Sequence, residues 1–132
     1  MGLNVTLHND DFVIIEGGHI VLMEDIFTNP TEIDVAVLTY GDDVEKWTLR
    51  VGEKIKVKAV DVFFHSSMRH AGGRLPSKLS AKLVFTAPRN VMIQRVHTKN
   101  TDEVIAKTIS KFSNTNVIIE SIEKLMEYQD EE

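Results

Sequence analysis

Short apolar segments with a two-residue period recur between residues 5 and 96, and this pattern restricts the folds that the chain can adopt. In the clearest segment, Ile33, Val35 and Val37 alternate with other side chains. A period of two puts every second side chain on one face of a strand, which marks a half-buried sheet. We therefore expect about six to eight short, mainly antiparallel strands in this region.

Turn-forming residues separate the predicted strands. Gly17-Gly18 lies between the apolar segments 12–15 and 19–23 and predicts a hairpin. The pattern that starts at Lys54 changes phase near Ala59-Val60, which favours one long strand with a bulge. Residues 65–80 are polar, basic and contain two glycines, so we expect a long exposed loop there.

The period changes after Asn100. Apolar residues then recur at helical spacing, which predicts helices over 101–112 and 117–128, capped by Thr101 and Asn116. Strands followed by helices are typical of the α+β class. We expect one domain over residues 1–132 with a C-terminal helical segment over 101–128.

Segments 12–43 and 47–90 share an order of strand, glycine, strand, connection, strand and turn. This similarity has two interpretations: a degenerate internal repeat, or a generic β-meander. A repeat would imply a pseudo-twofold domain in which the second copy alone kept a basic face.

The net charge of −5 is unevenly distributed. Residues 1–48 carry a charge of −9, residues 49–100 carry +9 and residues 101–132 carry −5. Either the basic segment lies beside the acidic ones and is neutralised, or it presents an anion-binding surface.

Composition excludes several function classes. The chain has no cysteine, which excludes disulfides, cysteine-zinc sites and thiol nucleophiles. Its longest apolar runs, of four or five residues, are far shorter than the roughly 20 needed to span a bilayer. No catalytic constellation and no metal-ligand spacing emerges, so we expect a cytoplasmic non-enzyme without a cofactor or metal. The histidines are scattered, at His8, His19, His65, His70 and His97.

Two motifs resemble those of the carbon storage regulator family of RNA-binding translational regulators. The first is Thr48-Leu49-Arg50-Val51-Gly52-Glu53, and the second is Ala87-Pro88-Arg89-Asn90-Val91-Met92-Ile93-Gln94-Arg95, followed by a helix. The resemblance spans residues 47–112 and implies an intertwined β-domain that dimerises. It also implies that RNA lies between the first strand of one unit and the last strand of the other.

The resemblance assigns Thr48 and Arg50 to the first strand, and Val91, Ile93 and Arg95 to the last. Leu49 and Gln94 depart from the family pattern, which often has a basic residue and a histidine there. Independently of the family, basic side chains of the loop and its flanks suit a phosphate backbone. These further candidates are Arg69, Arg74, Lys78, Arg89 and Lys99.

The sequence therefore favours a non-enzymatic, RNA-binding regulatory protein that forms a homo-oligomer or binds a protein partner and has no contact with membranes. The alternative is a small β-rich structural or assembly protein, such as a virion or complex subunit. Such a protein would associate with itself through its oppositely charged segments.

Overall fold

The computed structural model describes residues 2–28, 30–70, 78–97 and 102–130, with backbone alone for Arg69, His70, Lys78 and Asp130. These residues form nine strands and two helices. The strands are β1 (Gly2–Leu7), β2 (Phe12–Ile15), β3 (His19–Thr28), β4 (Thr31–Leu38), β5 (Val44–Arg50), β6 (Lys54–Val57), β7 (Val60–His70), β8 (Lys78–Thr86) and β9 (Ile93–Val96). The helices are α1 (Asp102–Ile109) and α2 (Thr115–Asp130).

The strands form two antiparallel sheets. One has four strands in the order β1-β8-β7-β6, and the other has five in the order β5-β4-β3-β2-β9. Each sheet takes an edge strand from the opposite half of the chain, since β1 pairs with β8 and β5 pairs with β4. The two halves are therefore interlocked through backbone hydrogen bonds.

The sheets pack face to face around one apolar core, and the helices cover the other face of the five-stranded sheet. Strand β2 is buried on both sides: Val13 and Ile15 face the four-stranded sheet, while Phe12 and Ile14 face the helices. Double burial explains why this strand is a continuous apolar run and not an alternating one.

The turn between β2 and β3 lies against the start of α2. Gly18 has a φ of +87°, and a Cβ there would lie 2.5 Å from Val117 Cγ1 and 3.0 Å from Ser121 Oγ. Glycine is needed both for the left-handed backbone and for the close approach of the helix.

The α+β class predicted from the sequence is confirmed, with several boundaries corrected. The predicted long strand from Lys54 divides at Lys58, whose φ of 56° turns the chain between β6 and β7. The predicted loop over 65–80 is corrected at both ends, because β7 runs to His70 and β8 begins at Lys78, while residues 71–77 lie outside the described residues. Helix α2 begins at Thr115, one residue before the predicted cap Asn116.

The two sheets have the same strand order when β1–β4 are exchanged with β5–β8. The order β1-β8-β7-β6 then becomes β5-β4-β3-β2, so β9 is the only strand of the described chain without a counterpart. The pairing register agrees as well. Thr6 of β1 lies opposite Lys82 of β8, and Thr48 at the corresponding position of β5 lies opposite Asp34 of β4.

Irregular features of the two halves also correspond. An extra residue shifts the register after Met23 in β3 and after Phe64 in β7. Asp10 and Gly52 both have positive φ, and their N–H groups donate to the carbonyls of Met23 and Phe64 at 2.7 and 2.9 Å. The two halves therefore build the same unit from dissimilar sequences.

Candidate nucleic-acid interface

The outer face of the four-stranded sheet is not covered by the helices. Its alternate positions carry polar and basic side chains together with one aromatic ring. We call this surface the open sheet face, and it comprises Asn4, Thr6, Lys54, Lys56, Asp61, Phe63, Ser66, Lys82, Val84 and Thr86. Asp61 is the one acidic side chain among its described members, against three lysines.

The corresponding positions of the five-stranded sheet show why the open sheet face stays uncovered. Phe12 and Ile14 pack against the helices, and the same positions of β6 carry Lys54 and Lys56. Burying two lysine ammonium groups without partners would cost far more than apolar packing returns. The choice of side chains thus directs the helices to one sheet and leaves the other exposed.

Charge is segregated between the two sides of the molecule. The helical side is acidic, since α2 carries Glu120, Glu123 and Glu127 against Lys124. Within the described residues, no ion pair within 4.0 Å neutralises the lysines of the open sheet face. Lys54, Lys56 and Lys82 therefore give the open sheet face a positive charge, whereas Arg50 of the same basic segment pairs with Glu32 of the acidic one.

Phe63 lies in the middle of the lysine-bearing part of this face. It is half-buried, lies directly across from Lys54, and has its ring centroid 6.4 Å from that of His65 at an interplanar angle of 76°. An aromatic ring on an open sheet, flanked by cations, can stack on a nucleobase while the cations bind phosphates.

Arg95 extends the positive surface past the β1 edge. It lies on β9, at the edge of the other sheet, and its Nη1 donates to the carbonyl oxygen of Thr6 at 3.1 Å. Thr6 in turn lies opposite Lys82. The contact brings the last strand of the second half beside the first strand of the first half.

Thr48 and Arg50, the other motif residues, lie far from Arg95. They are on β5, at the opposite edge of the five-stranded sheet from β9. Thr48 Oγ1 donates to Asp34 Oδ1 at 2.7 Å, and Arg50 Nε donates to Glu32 Oε1 at 3.1 Å. These two candidates are therefore engaged with acidic side chains of β4.

The remaining predicted residues are dispersed. Arg89 is exposed in the connection before β9, while Val91 and Ile93 are half-buried against the core between the sheets. The backbones of Arg69 and Lys78 belong to β7 and β8, whereas Arg74 and Lys99 lie outside the described residues.

None of the residues of the open sheet face, Thr6 and Lys82 included, was among the site residues predicted from the sequence. A signal was present, because Lys82 alternates with buried Ala81 and Leu83 just as Lys54 and Lys56 alternate with apolar residues. The open sheet face collects lysines from two such strands, which only the pairing order reveals.

Comparison with protein-family models, with curated proteins and with solved structures gives no match to this chain. Neither helix of the described chain has the length and apolar character needed to cross a membrane. The functional assignment therefore rests on the geometry of the described residues.

Proposed function

We propose that the protein is a non-enzymatic binder of single-stranded RNA and uses the open sheet face together with Arg95. The observation that supports this proposal is the helix-free face with three lysines and one acid, on the side of the molecule away from the acidic helices. An uncompensated positive surface attracts a polyanion, and the attraction weakens as salt is added.

The composition of this face favours RNA over a small anion. Lys54, Lys56 and Lys82 supply charges for phosphates, and Phe63 supplies a ring on which an unpaired base can stack. Thr6 and Arg95 add a hydroxyl and a planar guanidinium at the edge, which suit ribose hydroxyls and base edges.

The family resemblance also supports RNA binding at this surface. It implies RNA binding between the first strand of one unit and the last strand of the other, and Arg95 joins β9 to β1 in this way. We propose that the two corresponding halves are duplicated units fused in one chain. Among the described residues, β9 is the one strand that corresponds to the family's last strand. The fused chain would therefore have one RNA site between a first and a last strand, whereas a symmetric dimer would have two.

The test uses a fluorescent single-stranded RNA that contains GGA, titrated with the full chain at several salt concentrations. Lys82→Asp installs the residue type found at the corresponding position, Asp34, and should weaken binding about tenfold or more at low salt. It should also reduce the slope of log affinity against log salt by about 0.7.

Lys46→Asp is the matched control, because Lys46 is a strand lysine as well but lies exposed on β5 of the other sheet. Its charge change is the same, so it should alter affinity by less than about twofold if the face and not the net charge binds RNA. Absence of binding at low salt, or equal losses in the two variants, would refute the proposal. Arg95→Ala should weaken binding as well.

A second candidate function is self-assembly as a structural subunit in complexes. The basic sheet face and the acidic helical face lie on opposite sides, an arrangement suited to head-to-tail association. Light scattering over a range of salt concentrations distinguishes the two functions. A salt-sensitive oligomer without RNA affinity would favour assembly.

A translational regulatory role in the cytoplasm is the cellular setting that the resemblance implies for RNA binding. The absorbance ratio at 260 and 280 nm of the purified protein gives a first check. Co-purified nucleic acid would support RNA binding, and a clean protein spectrum would weaken it.

A further inference from the structure

Two histidines and an aspartate meet at the edge where the two sheets come together. His8 follows β1, Asp11 precedes β2 and His97 follows β9. Asp11 Oδ2 lies 2.9 Å from His97 Nδ1 and 3.5 Å from His8 Nδ1. Three segments that are distant in sequence thus direct imidazole and carboxylate groups towards one point.

Asp11 is the fixed centre of this cluster. Its side chain is 5% exposed, and its Oδ2 accepts a hydrogen bond from the backbone N–H of His8 at 3.0 Å. A carboxylate at this depth is stable only with several polar or cationic partners. Burial also holds the carboxylate in one orientation, so a ligand that it binds meets a preformed group.

The corresponding turn of the second half shows which side chains a turn of this kind requires. There, Glu53 Oε1 accepts the backbone N–H of Arg50 at 2.7 Å, so an acid closes this turn too. Arg50 stands in place of His8, and His97 follows the one described strand without a counterpart. The turn therefore requires the carboxylate, whereas closing the turn does not require either imidazole.

The three side chains bring their ligand atoms close to the spacing that a small divalent ion requires. One ligand atom from each residue can be chosen so that all three lie within 4.8 Å of one another. Two ligands of a tetrahedral zinc ion, each about 2.0–2.1 Å from the metal, are about 3.3 Å apart. The 2.9 and 3.5 Å separations lie on either side of this value, and the shorter one is a hydrogen bond that a bound ion would replace.

The imidazole rings also have suitable positions and access. Their centroids are 6.4 Å apart and their planes are inclined at 46°, so the rings do not stack on each other. The side chains of His8 and His97 are 42% and 36% exposed, which leaves room for a water as a fourth ligand.

We propose that His8, Asp11 and His97 bind one Zn²⁺ ion. The ion would tie β1 of the four-stranded sheet to β2 and β9 of the five-stranded sheet. Sequence spacing gave no sign of this site, because Asp11 and His97 are separated by 86 positions. Short-range motifs such as two histidines on one helical turn cannot detect ligands that strand pairing brings together.

The test is calorimetric titration of the chelator-treated full chain with zinc chloride at neutral pH. We expect one saturable site per chain. His8→Arg should weaken binding about tenfold or more, and it should preserve the fold because Arg50 occupies the same position in the second half. His97→Ala should have a similar effect, and His65→Ala, at an exposed histidine outside the cluster, should have none.

Two further readouts keep the proposal falsifiable if a variant folds poorly. Far-UV circular dichroism checks each variant, and bound Co²⁺ should give the visible absorption of a four-coordinate site. Zn²⁺ should raise the melting temperature of the unmodified chain but not of His8→Arg. Equal affinities for the unmodified chain and His8→Arg, or no saturable binding, would overturn the proposal.

Discussion

Replacing Gly18 by alanine should disturb the contact between the sheets and the helical layer. The added Cβ would lie 2.5 Å from Val117 Cγ1 and 3.0 Å from Ser121 Oγ, both on α2. The 2.5 Å separation is too short for two carbon atoms, so the Val117 side chain, α2 or the turn must move, and Ser121 must also yield by a few tenths of an ångström. Because α2 contributes Ile118 and Leu125 to the helix-facing core, the movement should loosen that core.

The loss of unfolding free energy in Gly18→Ala has two parts that can be measured separately. A non-glycine residue at a φ near +87° costs about 1–2 kcal/mol of unfolding free energy, and steric overlap in a packed site adds about 1–3 kcal/mol. Gly52 has a φ of +93° and Gly41 one of +92°, and a Cβ added at either would have no atom within 4 Å. Alanine there should cost the backbone part alone, so Gly18→Ala should exceed both by about 1–3 kcal/mol.

Urea unfolding followed by far-UV circular dichroism measures these differences. In a Val117→Ala background, Gly18→Ala should cost less, because the nearest contact has been removed. If Gly18→Ala destabilises the protein no more than Gly41→Ala and Gly52→Ala, the close approach of α2 to this turn is wrong.

Three other predictions address the core, a histidine and a surface ion pair. Phe64→Ala, at a side chain of zero exposure, should lower the free energy of unfolding by about 3–5 kcal/mol, and a loss below about 1 kcal/mol would contradict its place in the core. Burial lowers the pKa of His19, whose Nδ1 accepts a hydrogen bond from the N–H of Tyr40 at 3.0 Å. The unfolded chain therefore binds a proton more readily than the folded one, and the free energy of unfolding should fall as the pH drops below 6.5. His19→Gln should remove that part of the fall when urea unfolding is followed at several pH values. Arg50→Ala should change stability by less than about 1 kcal/mol in the same assay, since the Arg50 side chain is 70% exposed, and a larger loss would mean that the pair with Glu32 is not screened by water.

Strands and helices were predictable because their signals are local. Alternation at Ile33, Val35 and Val37 identifies β4, and the change of period after Asn100 identifies the helical segment. The prediction of a loop over 65–80 was wrong at both ends, where residues 65–70 and 78–80 are strand. Ser66 is polar because it lies on the open sheet face, and a strand exposed on one side lacks the apolar content that usually marks a strand.

The location of the candidate site was less predictable because it depends on pairing between distant segments. The motif residues Arg50 and Arg95 are both present, yet strand order puts them at opposite edges of one sheet. The partner of Arg95 is Thr6, 89 positions away. Nothing in the local sequence of β1 indicates that β8 and not β2 is its neighbour.

The exchange of edge strands has a consequence for the order of events during synthesis. Val5 pairs with Leu83, so the first strand has no sheet to join until nearly the whole β-region has been made. Because β5 joins β4 first, the five-stranded sheet can begin to form while β1 waits. The chain should therefore fold late and as one cooperative unit, with the N-terminal strand among the last to dock.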